Sequence, residues 1–120
     1  MARILIIDDE HANAHALSLV LGCAGHQVSL ANNGETALAK LDQVKPDLIL
    51  TDYMMPRMNG AELAKSVRGS DLHAGVKILL MSGALEESLA EARPYYDAFL
   101  RKPFDIDVLF DQVHRLLDTH

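Results

Sequence analysis

The chain is poor in the features that would send it to several common classes. It holds a single cysteine, Cys23, so no intrachain disulfide is possible, and a reducing compartment is expected. Basic side chains are the minority, 11 against 17 acidic ones, for a net charge of -6. A domain so charged is a poor ligand for a phosphate backbone, which excludes nucleic acid as its direct partner. No apolar run is long enough to span a bilayer, which excludes membrane insertion. The opening "MARILIIDDE" reaches Asp8 and Asp9 within ten residues, unlike a signal peptide. The expected location is cytoplasmic. Repeats, linkers and low-complexity segments are also lacking. At 120 residues with 49% apolar side chains, the chain reads as one globular domain spanning 1–120.

What is present is a regular alternation. "RILII" is a strand, and the helix after it is expected to turn Ala12, Ala16, Leu17, Val20, Leu21 and Ala24 inward before stopping at Gly25. "HQVSLA" is a second strand. Asn33 and Gly34 open a helix with Ala37, Leu38, Leu41 and Val44 inward, stopped before Pro46. "DLILT" is the third strand, followed by a helix from about Gly60 that carries Leu63, Ala64 and Val67. "VKILLMS" is the fourth, and a weaker helical piece with Leu85, Leu89 and Ala92 runs into Pro94. "DAFLRK" is the fifth. A final amphipathic helix, Ile106 to Leu117, has Asp105 in place to cap it. Five strands alternating with five helices predict an α/β fold, a doubly wound parallel sheet with helices on both faces.

Such a sheet binds ligands at the carboxyl ends of its strands, near the point where strand order reverses. Asp8 and Asp9 follow the first strand, Asp52 ends the third, Ser82 the fourth and Lys102 the fifth, so all belong on one edge. Strand two offers no such residue, an absence expected if it is an outer strand. Three carboxylates brought together repel one another unless a cation joins them. With no His or Cys among them the ligands are hard oxygens, which favours Mg²⁺, or Mn²⁺, over zinc. Lys102 and Ser82 suit an anion instead, a point charge and a hydroxyl aimed at phosphoryl oxygens. The set implies a carboxylate that attacks phosphorus, and Asp52, on an inner strand, is the best nucleophile.

In order along the chain, "IIDDE", "LTDYMMPRMNG", "LLMSGA" and "FLRKPF" resemble the signature segments of response regulator receiver domains of two-component signalling. The resemblance covers essentially the whole chain and implies the flavodoxin-like strand order 2-1-3-4-5. It implies Asp52 as phosphoacceptor, Asp8 and Asp9 as the metal pair with the Met54 main-chain carbonyl as a further ligand, Lys102 as the phosphate-binding lysine, and Ser82 and Phe99 as the switch residues. It also implies a cis Lys102–Pro103 bond. The implied donor is a sensor histidine kinase or histidine phosphotransfer protein. The implied output is a protein bound through the face of the fourth helix, fifth strand and fifth helix. The domain is then not an enzyme in the metabolic sense, although it catalyses its own phosphorylation. With no effector domain before His120, the sequence reads as a single-domain regulator or an excised module.

The chain also departs from that pattern. The stretch from Ser82 to Lys102 is short, Tyr95 and Tyr96 precede strand five where Gly-Ala is common, and Pro94 should end the fourth helix early. Met54 and Ala84 carry no acid or amide to orient a hydrolytic water, which predicts slow or moderate self-dephosphorylation. The alternatives are a receiver that is never phosphorylated and acts as a binding scaffold, an aspartyl phosphatase, and a flavodoxin-like cofactor binder. The phosphatase would want a second acid at position 54, which is Met54. The cofactor binder would want a Gly/Ser/Thr-rich loop where "DDEHANA" stands. His11 and His15, spaced i, i+4, read as a solvated helix face, Cys23 as a small buried apolar residue, and Met54, Met55 and Met58 as loop packing.

Overall fold

A computed structural model describes residues 2–118. Strands β1 (Arg3–Ile7), β2 (Gln27–Ala31), β3 (Leu48–Asp52), β4 (Lys77–Ser82) and β5 (Ala98–Arg101) form one parallel sheet in the order β2-β1-β3-β4-β5. Helices α1 (His11–Cys23), α2 (Gly34–Val44), α3 (Gly60–Arg68) and α4 (Ile106–Leu117), with a 3₁₀ segment η1 (Glu86–Ala92), connect and cover it. All five residues of β3 are buried, because helices pack on both faces of the central strand.

Strand alternation sorts the core into two layers. Ile4, Ile6, Leu48, Leu50, Leu79 and Met81 face α1 and α4, meeting Leu21, Leu109 and Val113. Leu5, Ile7, Ile49 and Ile78 point the other way, onto Ala37 and Leu41 of α2 and Leu63, Ala64 and Val67 of α3. Helix starts follow local chemistry. The Asn33 side chain accepts from Thr36 N at 2.7 Å, and Asn59 with Glu62 forms a reciprocal capping box on α3. Gly25, at φ +95°, makes the left-handed turn that closes α1.

Four local expectations need correction. In α1 the buried residues are Ala14 and Leu21, with Leu17 and Val20 half-buried, whereas Ala12, Ala16 and Ala24 are exposed. A helix with alanine on every side gives little contrast from which to read its phase. Cys23 is exposed for the same reason, since two residues beyond buried Leu21 lies about 200° around the helix. The fourth helical piece is 3₁₀ rather than α, with a non-helical Leu89 at φ −110°, ψ 30°. Leu85 stands outside it, 53% exposed. Asp105 occupies the N-cap of α4, but its side chain makes no capping hydrogen bond.

Candidate functional site: an acidic pocket at the sheet edge

The switch in strand order, between β1 and β3, opens the crevice in which the site is built. Asp8 follows β1 directly. Its N–H donates to Ala31 O at 3.2 Å and its Oδ1 accepts from Glu10 N at 2.9 Å, which turns the carboxylate inward to 1% exposure. Asp9, next along, is exposed at the rim. Asp52, the last residue of β3, is 7% exposed and pairs in register with Met81. Each of Asp8, Asp9 and Asp52 offers an oxygen within 4.8 Å of the others.

Lys102 reaches the same point from the end of β5. Its N–H donates to Ser82 O at 2.8 Å, and its Nζ lies 3.3 Å from Asp52 Oδ1 and 3.8 Å from Asp8 Oδ2. The Lys102–Pro103 bond is cis, as the resemblance implies. Ser82 is buried, and its Oγ accepts from Ala84 N at 3.0 Å. Phe99 is half-buried on β5, against the cluster of Leu80, Leu89 and Ala92. The Met54 side chain is 68% exposed and so does not pack the loop as expected, whereas Met55 is buried and Met58 half-buried.

Burial pushes the Asp52 carboxyl above the ordinary carboxylate range. The Lys102 ammonium opposes that rise, and the charge of Asp8 adds to it. One lysine therefore does not neutralise the pocket. Asp8 Oδ2 is fully enclosed yet accepts no hydrogen bond, an orphaned acceptor with the Lys102 ammonium 3.8 Å away. An all-oxygen donor set with that orphan fits a hard divalent cation such as Mg²⁺.

The loop between Asp52 and α3 is shaped by close packing. Gly60 N donates to Tyr53 O at 2.8 Å, and a Cβ at Gly60 would stand 2.8 Å from Asp52 O and 2.9 Å from Tyr53 Cα. Glycine is required there by contact with backbone. Sequence reasoning missed one feature beside the site: the Tyr53 hydroxyl donates to Glu91 Oε1 of η1 at 2.6 Å. No periodicity could reveal a pair 38 residues apart. A cleft of about 770 Å³ among His26, Asp47, Lys77 and His114 lies at the other end of the strands, away from Asp8, Asp9 and Asp52.

A doubly wound parallel sheet with a buried acidic pocket, able to hold a metal beside a lysine, narrows the class to phosphoacceptor domains on this fold. Residues 4–114 match the family described as the response regulator receiver domain. Transcriptional regulatory protein TrcR of Mycobacterium tuberculosis is 30% identical over 115 residues, which is 96% of this chain and 45% of that protein. The transcriptional regulator RpaA of Synechocystis is 33% identical over 119 residues, 98% of this chain and 49% of that one. The chain thus spans about half the length of these regulators. Among solved structures, chemotaxis response regulator CheY4 of Vibrio cholerae superposes with a TM-score of 0.91 at 31% identity, covering 97% of this chain and 98% of that one. Response regulator TrrA of Thermotoga maritima, in complex with Mg²⁺ and BeF, gives 0.87 at 31% identity, covering 97% and 99%.

The chain belongs to the response regulator receiver domains of two-component systems. It is therefore a phosphoacceptor signalling domain rather than a metabolic enzyme, in a family whose partners are histidine kinases. Among the described residues no helix is long and apolar enough to cross a membrane.

Proposed function

We propose that residues 1–120 form one receiver that accepts a phosphoryl group on Asp52 in a Mg²⁺-dependent reaction and, in response, changes the face built by η1, β5 and α4. The observation that carries this reading is the convergence of three carboxylates within 4.8 Å with the Lys102 ammonium 3.3 Å from Asp52. The donor is the phosphohistidine of a sensor histidine kinase or histidine phosphotransfer protein, and the setting is cytoplasmic.

An Asp52 carboxylate oxygen attacks phosphorus. The bond from phosphorus to the donor imidazole nitrogen breaks, its electron pair stays on that nitrogen, and the product is an aspartyl phosphate. Asp8 and Asp9, with Asp52 and the Met54 carbonyl, would hold the cation. When bound, Mg²⁺, or Mn²⁺ in its place, supplies positive charge that offsets the crowded carboxylates and the phosphoryl oxygens. Lys102 provides a second, fixed positive charge at the oxygen that reacts. Ser82 leaves its contact with Ala84 N to donate its hydroxyl to the phosphoryl group, and Phe99 turns into the space released. The new dianion thereby selects a minor conformation of the loop after β4.

Met54 and Ala84 present no acid or amide to position water, so the phosphoryl group leaves slowly or at a moderate rate. A phosphorelay assay tests the reading. Label should pass from a phosphorylated histidine donor to this chain as an alkali-labile acyl phosphate, and transfer should stop with Asp52→Asn. Label that never leaves the donor would favour the alternative, a receiver acting only as an interaction scaffold.

A further inference from the structure

η1 is an anomaly in its own composition. Leu85 to Arg93 reads "LEESLAEAR", rich in strong α-helix formers, yet the segment runs as 3₁₀ and breaks at Leu89. Something outside it holds that shape. Two tyrosines reach it, one near each end. Tyr53, the neighbour of Asp52, donates its hydroxyl to Glu91 Oε1 at 2.6 Å. Tyr96, in the approach to β5, donates to Glu86 Oε2, which also lies 3.7 Å from Arg93 Nη1. One acidic residue near each end of η1 is therefore tied to a ring fixed in the body of the domain.

The rings themselves join the apolar cluster beneath the segment. Leu89 and Ala92 of η1 pack with Leu80 and Ala61, and Tyr53, Tyr96 and Phe99 pack around them. The Tyr96 and Phe99 centroids lie 6.3 Å apart at 44°, so a change in the Phe99 rotamer must move or follow a ring whose hydroxyl is pinned. Tyr53 connects the other end of η1 to the chain at Asp52, its immediate neighbour.

We infer that the Tyr53–Glu91 and Tyr96–Glu86 pairs form a clamp on η1 that holds the domain in the conformation described and sets the threshold for switching. The inference rests on the phosphoacceptor reading above and adds the groups that oppose the switch. A ligand selecting another conformation binds more weakly by the fraction of molecules the clamp withholds, so loosening the clamp must tighten that ligand. Loss of one such hydrogen bond should shift the balance about 2- to 10-fold.

Tyr53→Phe and Tyr96→Phe keep the rings and remove only the hydroxyls, while Glu91→Ala removes an exposed acceptor. Two readouts apply to the whole chain: amide exchange over 86–92 without metal, and affinity for beryllofluoride with Mg²⁺ followed by NMR. Each variant should exchange faster in that segment and bind beryllofluoride about 2- to 10-fold more tightly. Tyr53→Phe combined with Glu91→Ala should do no more than either alone, because both remove the same bond. Unchanged exchange and affinity, or fully additive effects of that pair, would overturn the clamp. If the native chain takes up no beryllofluoride the phosphoacceptor reading falls first, and the exchange arm alone then decides whether the pairs hold η1.

Discussion

Replacing Arg68 with methionine should be among the most damaging changes to a charged side chain in this domain. From the last turn of α3, the guanidinium donates through Nε to Tyr95 O at 3.0 Å and through Nη1 to Ala74 O at 2.8 Å and to Val76 O. Its Nη2 meets Asp97 Oδ2 at 2.6 Å, and that oxygen also accepts from Ile78 N at 2.8 Å. One side chain thus joins the end of α3, the entry to β4 and the entry to β5. Counted as isolated charge-assisted bonds, four contacts would total about 6–12 kcal/mol. That is an upper bound, because the Arg68 side chain is 22% and that of Asp97 30% exposed, so water recovers part of the loss. The ion pair is then worth no more than about 1 kcal/mol, and the inner carbonyl contacts add about 1 kcal/mol each. The expected loss is about 3 kcal/mol, or about 12 °C in Tm for a domain of this size. Urea unfolding at 25 °C followed by far-UV circular dichroism measures it. Arg68→Lys keeps the charge without the planar fork and should lose about 2 kcal/mol. A loss below about 1 kcal/mol for methionine, or a lysine variant as stable as the native chain, would reduce Arg68 to a solvated charge and refute the clasp.

Other outcomes follow from the same structure. Gly60→Ala forces a Cβ against Asp52 O and Tyr53 Cα and should cost about 1–3 kcal/mol in urea unfolding, because backbone cannot yield as a flexible side chain can. His26 accepts from Ala2 N through Nδ1 at 3.2 Å, its Nε2 is enclosed without a partner, and its ring lies 5.7 Å from that of His114. Burial first, then His114 and the amino terminus, hold its pKa below the usual value of 6.5. The native state therefore binds fewer protons than the unfolded chain. Stability from this site is full above about pH 6.5 and is lost as pH falls towards the lowered value, so His26→Asn should flatten the pH dependence of unfolding from 7.5 to 5.5. Saturating Mg²⁺ should stabilise the native chain, by about 2.7 kcal/mol at a hundredfold excess over Kd. Asp8→Asn should abolish that gain in a thermal-shift titration.

The fold was legible because its signals are periodic. Continuous apolar strands, the Asn33 start of α2 and the strong amphipathic pattern of α4 agree with one another, and buried parallel strands leave few other arrangements. The candidate site was legible for a different reason: strand ends share an edge, and topology places Asp8, Asp52, Ser82 and Lys102 along it, where Asp8, Asp52 and Lys102 meet. What failed was local. The phase of α1 was misread because alanine carries little contrast, and Cys23 went with it. η1 escaped because its helix-forming composition is overridden by contacts from Tyr53 and Tyr96, one of them 38 residues distant in sequence. The Arg68 clasp escaped likewise, since its acceptors are mostly backbone carbonyls with no sequence signature.

Intact mass after incubation with acetyl phosphate and Mg²⁺ tests the central claim most directly. The native chain should gain one phosphoryl group, about 80 Da, while Asp52→Asn and the native chain with the metal chelated should gain none. A native chain that remains unmodified, and that also fails to bind beryllofluoride, would contradict the account.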